Sequence, residues 1–307
     1  SGAALQLYAL GLDPFAFGWL DPPDTALLRE AALHLAELGA IHSEAVGGAK
    51  VVRLTPLGRQ LALLPIVPSY ARLLVAAAER GPVVARQARD LVSVLSADRG
   101  VFVEPHDAER REAAERARDV FVDASGDHAT LLNALYGYLA ARAHAHGAHA
   151  GGGASAGARH ELRMWCQTHG VHERTMRNVL AIRKQLMRIC QQHGLRCDDE
   201  ARGAGAARDV PRVDDDEDAD GDALIVTRGG GGPGTSAGAA GAEDYSALLQ
   251  CLGQGRLSNT ALRQPDGTFR RIAGGLSFKL HPSCTLHPAR HGARGTSAAS
   301  VQAIVFE

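Results

Sequence analysis

This sequence of 307 residues lacks an excess of charge of one sign, long apolar runs and paired cysteines. Its 33 Lys and Arg residues nearly balance its 34 Asp and Glu residues, which excludes an overall basic binder of polyanions, so any such site must be local. No apolar run approaches the ~20 residues that span a bilayer, and no signal-peptide pattern follows Ser1. We therefore expect a soluble intracellular protein, and the Ser at position 1 suggests a fragment or a processed product.

Metal-site spacing is also missing. The five cysteines are scattered without CxxC pairs, which predicts reduced thiols. Cys166, His169 and His172 stand three residues apart in a predicted loop, and further histidines lie in an Ala/Gly-rich run, but neither set has a second ligand pair at zinc-site spacing. We expect no metal site.

Two stretches of biased composition divide the chain. Residues of about 140–158 are rich in Ala, His and Gly, and residues 198–242 are acidic and then Gly-rich. Neither stretch has the large apolar residues of a core, so we predict a solvated loop and a disordered linker. The cuts leave three predicted domains, at 1–67, 68–197 and 243–307.

The first domain is predicted to be a winged helix. A helix begins near Asp24 and stops at Gly39, a hairpin turns at Gly47 and Gly48, and Thr55 caps a short helix that starts at Pro56.

The second and third predicted domains differ in the spacing of their apolar residues. Residues 68–197 show helical spacing broken by Gly and Pro, which predicts a helical bundle. The predicted helices are Tyr70 to Glu79, Val83 to Leu95, Ala108 to Arg118, Asp127 to Arg142 and Glu173 to about His193. Residues 243–307 begin with a predicted helix. Apolar and polar residues then alternate with period two, which favours a small β-barrel. The predicted fold class is mainly α with a small β-barrel.

Basic residues recur on the helix from Glu173. Arg174, Arg177, Lys184 and Arg188 share one face, and a row of cations can follow a phosphate backbone. A solvated face that merely carries charge is the alternative. Arg183 falls within the apolar stripe of the same helix, which predicts a buried or half-buried ion pair.

Cations also lie on or beside the predicted strands, and folds of this kind bind single strands through cations and aromatic platforms. Arg256, Arg270 and Lys279 are the candidates for RNA binding in this part. Aromatic residues make up 5% of the chain, and Phe269 and Phe278 are more typical of a core than of a stacking platform.

Several ordered blocks resemble one family. FGWLDPP followed by TALLREAALHLAELGAI, then LTPLGRQLALLPIVPSYARLL, WCQTHGVHERTMRNVLAIRKQL and RLSNTALRQPDGTFRRIAGGLSFKLHPSC, resemble the C-terminal region of DEAH-box RNA helicases. Two departures stand in the last block: Cys284 replaces the family's second Ser, and the Asn-type position in Ser258-Asn259-Thr260 is not followed by the family's usual Ala-Arg.

The resemblance implies a winged helix, a ratchet-like helicase-associated domain (HA2) that lines an RNA channel, and an OB-fold. It also implies single-stranded RNA, the RecA-like motor domains of a parent chain and G-patch-type activators as partners, with a nuclear or nucleolar location. GxxxxGK[ST] and Asp-Glu-Ala-His are absent from this sequence. ATP and Mg²⁺ are therefore expected in motor domains outside this chain, which is not catalytic alone.

A second hypothesis is a non-enzymatic nucleic-acid-binding or adaptor protein whose winged helix reads duplex DNA. Such a reading helix carries several cations, but the predicted helix from Asp24 to Leu38 has only Arg29. The charge pattern therefore disfavours this hypothesis.

Overall fold

The structure is a computed structural model that describes residues 1–46, 49–148, 156–197, 244–287 and 301–306. The described ranges are mainly helical, as the sequence predicts. The helices are α1 Gly2–Ala9, α2 Thr25–Glu37, α3 Pro56–Ala62, α4 Pro68–Glu79, α5 Pro82–Leu95, α6 Ala108–Arg118, α7 Asp127–Ala148, α8 Ala156–Thr168, α9 Glu173–Gln192 and α10 Ser246–Gly255. The strands are β1 Ile41–Val46, β2 Ala49–Leu54, β3 Thr260–Arg263, β4 Phe269–Arg271, β5 Ser277–Phe278 and β6 Ala303–Val305. Within these ranges, no helix is both long and apolar enough to cross a bilayer.

The N-terminal part forms the predicted helix, hairpin and helix. The Asp24 carboxylate accepts a hydrogen bond from the Ala26 amide and starts α2, which ends before Gly39 with its φ of 73°. Strands β1 and β2 pair antiparallel, and the Thr55 hydroxyl accepts from the Gly58 amide at 2.8 Å to cap α3. Helix α1, which the sequence interpretation missed, packs on α3 because most of its short length is apolar.

The predicted loop at about 140–158 is wrong at both of its ends. Helix α7 continues to Ala148, and α8 begins at Ala156. Alanine has the highest helix propensity, and Ala145 and Ala158 are both buried where α7 and α8 pack together. Residues 149–155 and the predicted linker at 198–242 lie outside the described residues.

The helical bundle surrounds α5. This helix packs against α4, α7 and α9, and its Leu91 and Val92 side chains are fully buried. Helix α6 contrasts with it, since none of its residues is buried. The predicted bundle is therefore present, with α5 at its centre and α6 at its surface.

The C-terminal strands form an open sheet in the order β5, β4, β3, β6, with every neighbouring pair antiparallel. Ala261, Phe269 and Ile304 point to one side and make a small core. The prediction of a small barrel is not met in the described residues, because β5 and β6 lie at opposite edges and do not pair. Two-residue β5 is too short to continue the sheet around a core.

The C-terminal part docks on the bundle through α10, which packs along α4. The approach is so close that a Cβ atom on Gly255 would lie 2.5 Å from the Ser69 carbonyl oxygen. Two polar contacts join the same parts at α7: the Tyr245 hydroxyl donates to Asn133 at 2.8 Å, and the Thr285 amide donates to Asp127 at 2.8 Å. The sheet is therefore attached to the bundle at two separate helices.

We expect Gly255→Ala to lower the free energy of unfolding by roughly 1–3 kcal/mol, because its methyl group would force α10 away from the α4 backbone. Gly253→Ala is the matched control on the same helix, since a Cβ atom there meets nothing within 4 Å. It should be neutral or raise stability by about 0.5–1 kcal/mol. Urea unfolding of the full chain measures both, and equal changes would contradict the close approach.

Candidate nucleic-acid interface

Helix α9 has two opposite sides. Its buried residues lie within one stripe that packs on α5 and the neighbouring helices: Thr175, Met176, Val179, Arg183, Leu186 and Cys190. At 3.6 residues per turn, the four predicted cations fall within an arc of about 80° centred on the other side. The apolar periodicity that predicted this helix therefore also predicted which way its cations point.

All four α9 cations are exposed to solvent: Arg174, Arg177, Lys184 and Arg188. The first and last are fourteen residues apart, which corresponds to about 21 Å along the helix axis. We refer to these four residues as the basic side of α9. A line of cations of this length can contact consecutive phosphates of an extended strand.

A further cation, which was not among the residues predicted from the sequence to bind RNA, lies beside the first turn of α9. The Glu173 carboxylate lies 3.7 Å from the Arg177 guanidinium and 3.8 Å from that of Arg163 on α8. Both arginines are exposed, so these ion pairs orient the side chains more than they stabilise the fold. Arg163 was missed because α8 was not predicted as a helix. Its helical spacing, with Leu162 and Cys166 buried, is the signal that could have found it.

Arg183 makes the buried ion pair that its place in the apolar stripe predicts. Its Nε donates to Asp90 Oδ1 on α5 at 2.8 Å, and Arg89 Nε donates to the same oxygen at 2.9 Å. Arg89 also donates from Nη1 to the Cys197 carbonyl oxygen at 2.8 Å. Arg89 and Asp90 are fully buried and Arg183 is 6% exposed, so this cluster joins α5, α9 and the chain after α9 inside the bundle.

The three candidates in the C-terminal part have different surroundings. Arg270 and Lys279 are exposed, and Arg270 stands on the outer face of the sheet. Arg256 is half-buried, and its guanidinium lies 5.2 Å from the centre of the Tyr70 ring on α4. A cation packed on an aromatic ring in this way holds α10 to α4. The structure therefore gives Arg256 a docking contact within the chain, at the junction of α10 and α4.

The departure from the family pattern at Asn259 has a structural counterpart. Arg271 on β4 donates from Nε to the Ser258 carbonyl oxygen at 2.6 Å, and its Nη2 lies 3.3 Å from Asn259 Oδ1. The Asn259 side chain thus holds the turn before β3 to β4. Its amide oxygen is engaged inside the sheet.

Comparison with known families matches two consecutive parts of the chain. Residues 31–66 match the winged-helix part of the helicase associated domain (HA2), and residues 67–131 match its ratchet-like part. These ranges run from within α2 to α3 and from α4 into α7. Residues 31–131 therefore correspond to an HA2 domain. The sequence resemblance to DEAH-box RNA helicases is confirmed.

The curated relatives that this chain matches carry helicase names. "ATP-dependent RNA helicase DHX33" of Drosophila melanogaster is 29% identical over 283 residues, covering 92% of this chain and 31% of the relative. "Pre-mRNA-splicing factor ATP-dependent RNA helicase DEAH10" of Arabidopsis thaliana is 24% identical over 294 residues, covering 94% of this chain and 33% of the relative. "Pre-mRNA-splicing factor ATP-dependent RNA helicase prp22" of Schizosaccharomyces pombe is 27% identical over 194 residues, covering 63% and 14%. The chain thus spans about a third or less of the length of these relatives.

Cys166, on α8, belongs to the core and not to a surface site. Its side chain is 2% exposed and packs among residues that include Tyr138 and Met176. Burial raises the pKa of the thiol to about 12, and the nearby Glu173 carboxylate adds to this shift. The thiol is therefore protonated and shielded at neutral pH, unlike a thiolate that binds a metal or attacks a substrate.

We expect Asp90→Asn to lower the free energy of unfolding by about 3–5 kcal/mol. The substitution keeps the size of the side chain and an acceptor oxygen, but it removes the negative charge that two buried arginines share. Arg188→Ala, on the exposed side of α9, should change stability by about 0.5 kcal/mol or less. Chemical unfolding followed by circular dichroism measures both variants. A small change for Asp90→Asn would mean that the cluster does not hold α9 to α5.

Stability should also fall in alkali. The folded-state pKa of Cys166 is raised, so its protonated thiol contributes to the free energy of unfolding. This contribution is complete below the unfolded-state pKa of about 9 and is lost as pH rises towards about 12. We expect Cys166→Ala to lose less stability than the native chain between about pH 9 and pH 11. Urea midpoints at each pH measure the difference, and parallel curves would contradict the assignment.

Cys284, which is partly exposed, should react with thiol reagents at pH 8 before Cys166 does.

Proposed function

We propose that this chain is the RNA-binding and regulatory C-terminal module of a DEAH-box ATP-dependent RNA helicase that remodels RNA or RNA–protein complexes. The observation that carries the proposal is the basic side of α9: Arg174, Arg177, Lys184 and Arg188 form one exposed row, and the opposite side of the helix packs into the helical bundle. Helices α4 to α6 of this bundle lie in the part of the chain that matches HA2. The helicase names of relatives that match most of the chain support the parent enzyme.

The sequence motifs indicate which steps this chain would perform and which the parent's motor domains would perform. It has neither the GxxxxGK[ST] motif nor Asp-Glu-Ala-His, so the parent's RecA-like motor domains would bind ATP and Mg²⁺ and drive translocation. The module would line the RNA channel, and a rigid row of cations suits that task because phosphate contacts hold a strand without selecting its sequence.

The C-terminal sheet is proposed to be an OB-fold that binds single-stranded RNA and receives G-patch-type activators. The helix α10 before the strands, the antiparallel order and the small core around Phe269 support this assignment. Exposed Arg270 and Lys279 are proposed RNA contacts, and Arg256 is a weaker candidate because it packs on Tyr70. Two relatives are named as splicing factors, which supports a nuclear site of action.

The RNA-binding proposal predicts the behaviour of Arg174→Glu, Arg177→Glu, Lys184→Glu and Arg188→Glu combined. This variant should bind single-stranded RNA at least about tenfold more weakly than the native chain at low salt, because charge reversal replaces attraction to the phosphates with repulsion. The slope of log K against log salt should become shallower by about 0.7 for each phosphate that the variant no longer neutralises. Fluorescence anisotropy with an unstructured labelled oligonucleotide at several salt concentrations gives both quantities.

The matched control reverses four exposed cations on other elements: Arg59, Arg99, Arg110 and Arg159. It carries the same change in net charge, so general repulsion of RNA should affect both variants equally. We expect the control to keep most of the affinity and most of the salt dependence. Equal weakening in the two variants would defeat the assignment of the site to α9.

The same assay distinguishes the proposed RNA binding through α9 from the alternative, in which the winged helix binds duplex DNA. Helix α2 exposes Arg29 as its one basic residue apart from the half-buried His34. Arg29→Glu should therefore change binding to either nucleic acid little. A large decrease of duplex DNA binding in that variant, with the α9 variant unaffected, would support the alternative.

A further inference from the structure

The chain contains an acidic run whose charge complements the basic side of α9. Seven of the nine residues from Asp214 to Asp222 are acidic. The run lies outside the described residues, and its composition and its position along the chain are known from the sequence. Seven of the 34 acidic residues of the chain are concentrated in these nine positions, so the run is a local polyanion in a chain of nearly balanced charge.

The basic side of α9 matches this run in charge and in length. It presents four exposed cations along about 21 Å, with Arg163 beside its first turn and Glu173 as the carboxylate paired with that end. Nine extended residues reach about 30 Å, so the acidic run can cover the whole row. Exposed charges of opposite sign at this density attract one another strongly at low ionic strength.

The connection between the two is short. Helix α9 ends at Gln192, and the chain is fixed again at buried Cys197, whose carbonyl oxygen accepts from Arg89. Asp214 follows Cys197 by seventeen residues. Such a length can span at most about 60 Å, which is twice the roughly 30 Å length of α9. The acidic run can therefore reach every cation of the row within one molecule, at an effective concentration on the order of millimolar.

We infer that the acidic run Asp214 to Asp222 docks on the basic side of α9 and competes with RNA for it. This inference rests on the proposed function of that side. The run acts as a tethered polyanion: it lowers the affinity of the free chain for RNA and is displaced when RNA binds. Because both interactions are electrostatic, the competition weakens as salt rises.

The test neutralises the run by changing its six Asp residues to Asn and Glu217 to Gln. We expect the variant to bind a single-stranded RNA oligonucleotide about fivefold more tightly than the native chain at about 50 mM salt. The gain should shrink at high salt. In the background with the four α9 cations reversed to Glu, neutralising the run should raise the affinity no more than neutralising carboxylates elsewhere in the chain.

The matched control neutralises seven exposed carboxylates elsewhere, with the same change in net charge: Asp21, Glu30, Asp98, Glu104, Glu109, Glu112 and Asp119. A clearly smaller gain in this control supports a local interaction. Equal gains in both variants would mean that net charge alone sets the affinity, and would overturn the inference. A gain that still exceeds the gain of the control after reversal of the α9 cations would also overturn it.

A second measurement does not depend on RNA. A fluorescent peptide of residues 210–224 should bind the chain whose own run is neutralised, and it should not bind that chain when the α9 cations are also reversed. A peptide with Asn and Gln in place of the acids is the negative control. No binding of the acidic peptide, with RNA binding still dependent on α9, would overturn the inference alone. RNA binding that ignores α9 would instead overturn the proposed function.

Discussion

The orientation of α9 depends on one buried carboxylate. Asp90 on α5 accepts from Arg183 on α9 and from its neighbour Arg89, and neither Arg89 nor Asp90 is exposed to solvent. Buried charges are costly unless they are paired and hydrogen-bonded, so this cluster strongly disfavours any rotation of α9. A helix fixed in this way can present four cations as one straight row, because its opposite side has no freedom to turn outward.

The same cluster extends the constraint beyond α9. Arg89 also holds the Cys197 carbonyl oxygen, which fixes the chain five residues after the helix ends. The acidic run therefore begins seventeen residues after a fixed point of the chain. One buried ion cluster thus links the rigidity of the proposed RNA-binding surface with the inferred competition by the acidic run.

Docking of the C-terminal sheet follows a different physical rule. It depends on close backbone approach at Gly255, on the Arg256 guanidinium over Tyr70 and on two hydrogen bonds to α7. These contacts use groups that sequence patterns assign to other roles: Asp127 was predicted as the first residue of a helix and Arg256 as an RNA-binding residue. In the folded chain, Asp127 accepts from Thr285, more than a hundred residues away, and a local pattern contains no information on such a partner.

The sequence by itself determined the helices of the bundle, the hairpin of the winged helix and the two sides of α9, because periodicity and caps act within a few residues. It also determined that Arg183 is buried. It could not determine α1, α8 and the C-terminal end of α7, whose weak or Ala-rich signals are decided by burial against other helices. Only the tertiary structure decided that Asp90 is the partner of Arg183, that Arg163 joins the basic surface, and that Arg256 faces Tyr70. Each of these depends on which surfaces of distant segments meet, and that is set by the packing of the whole chain.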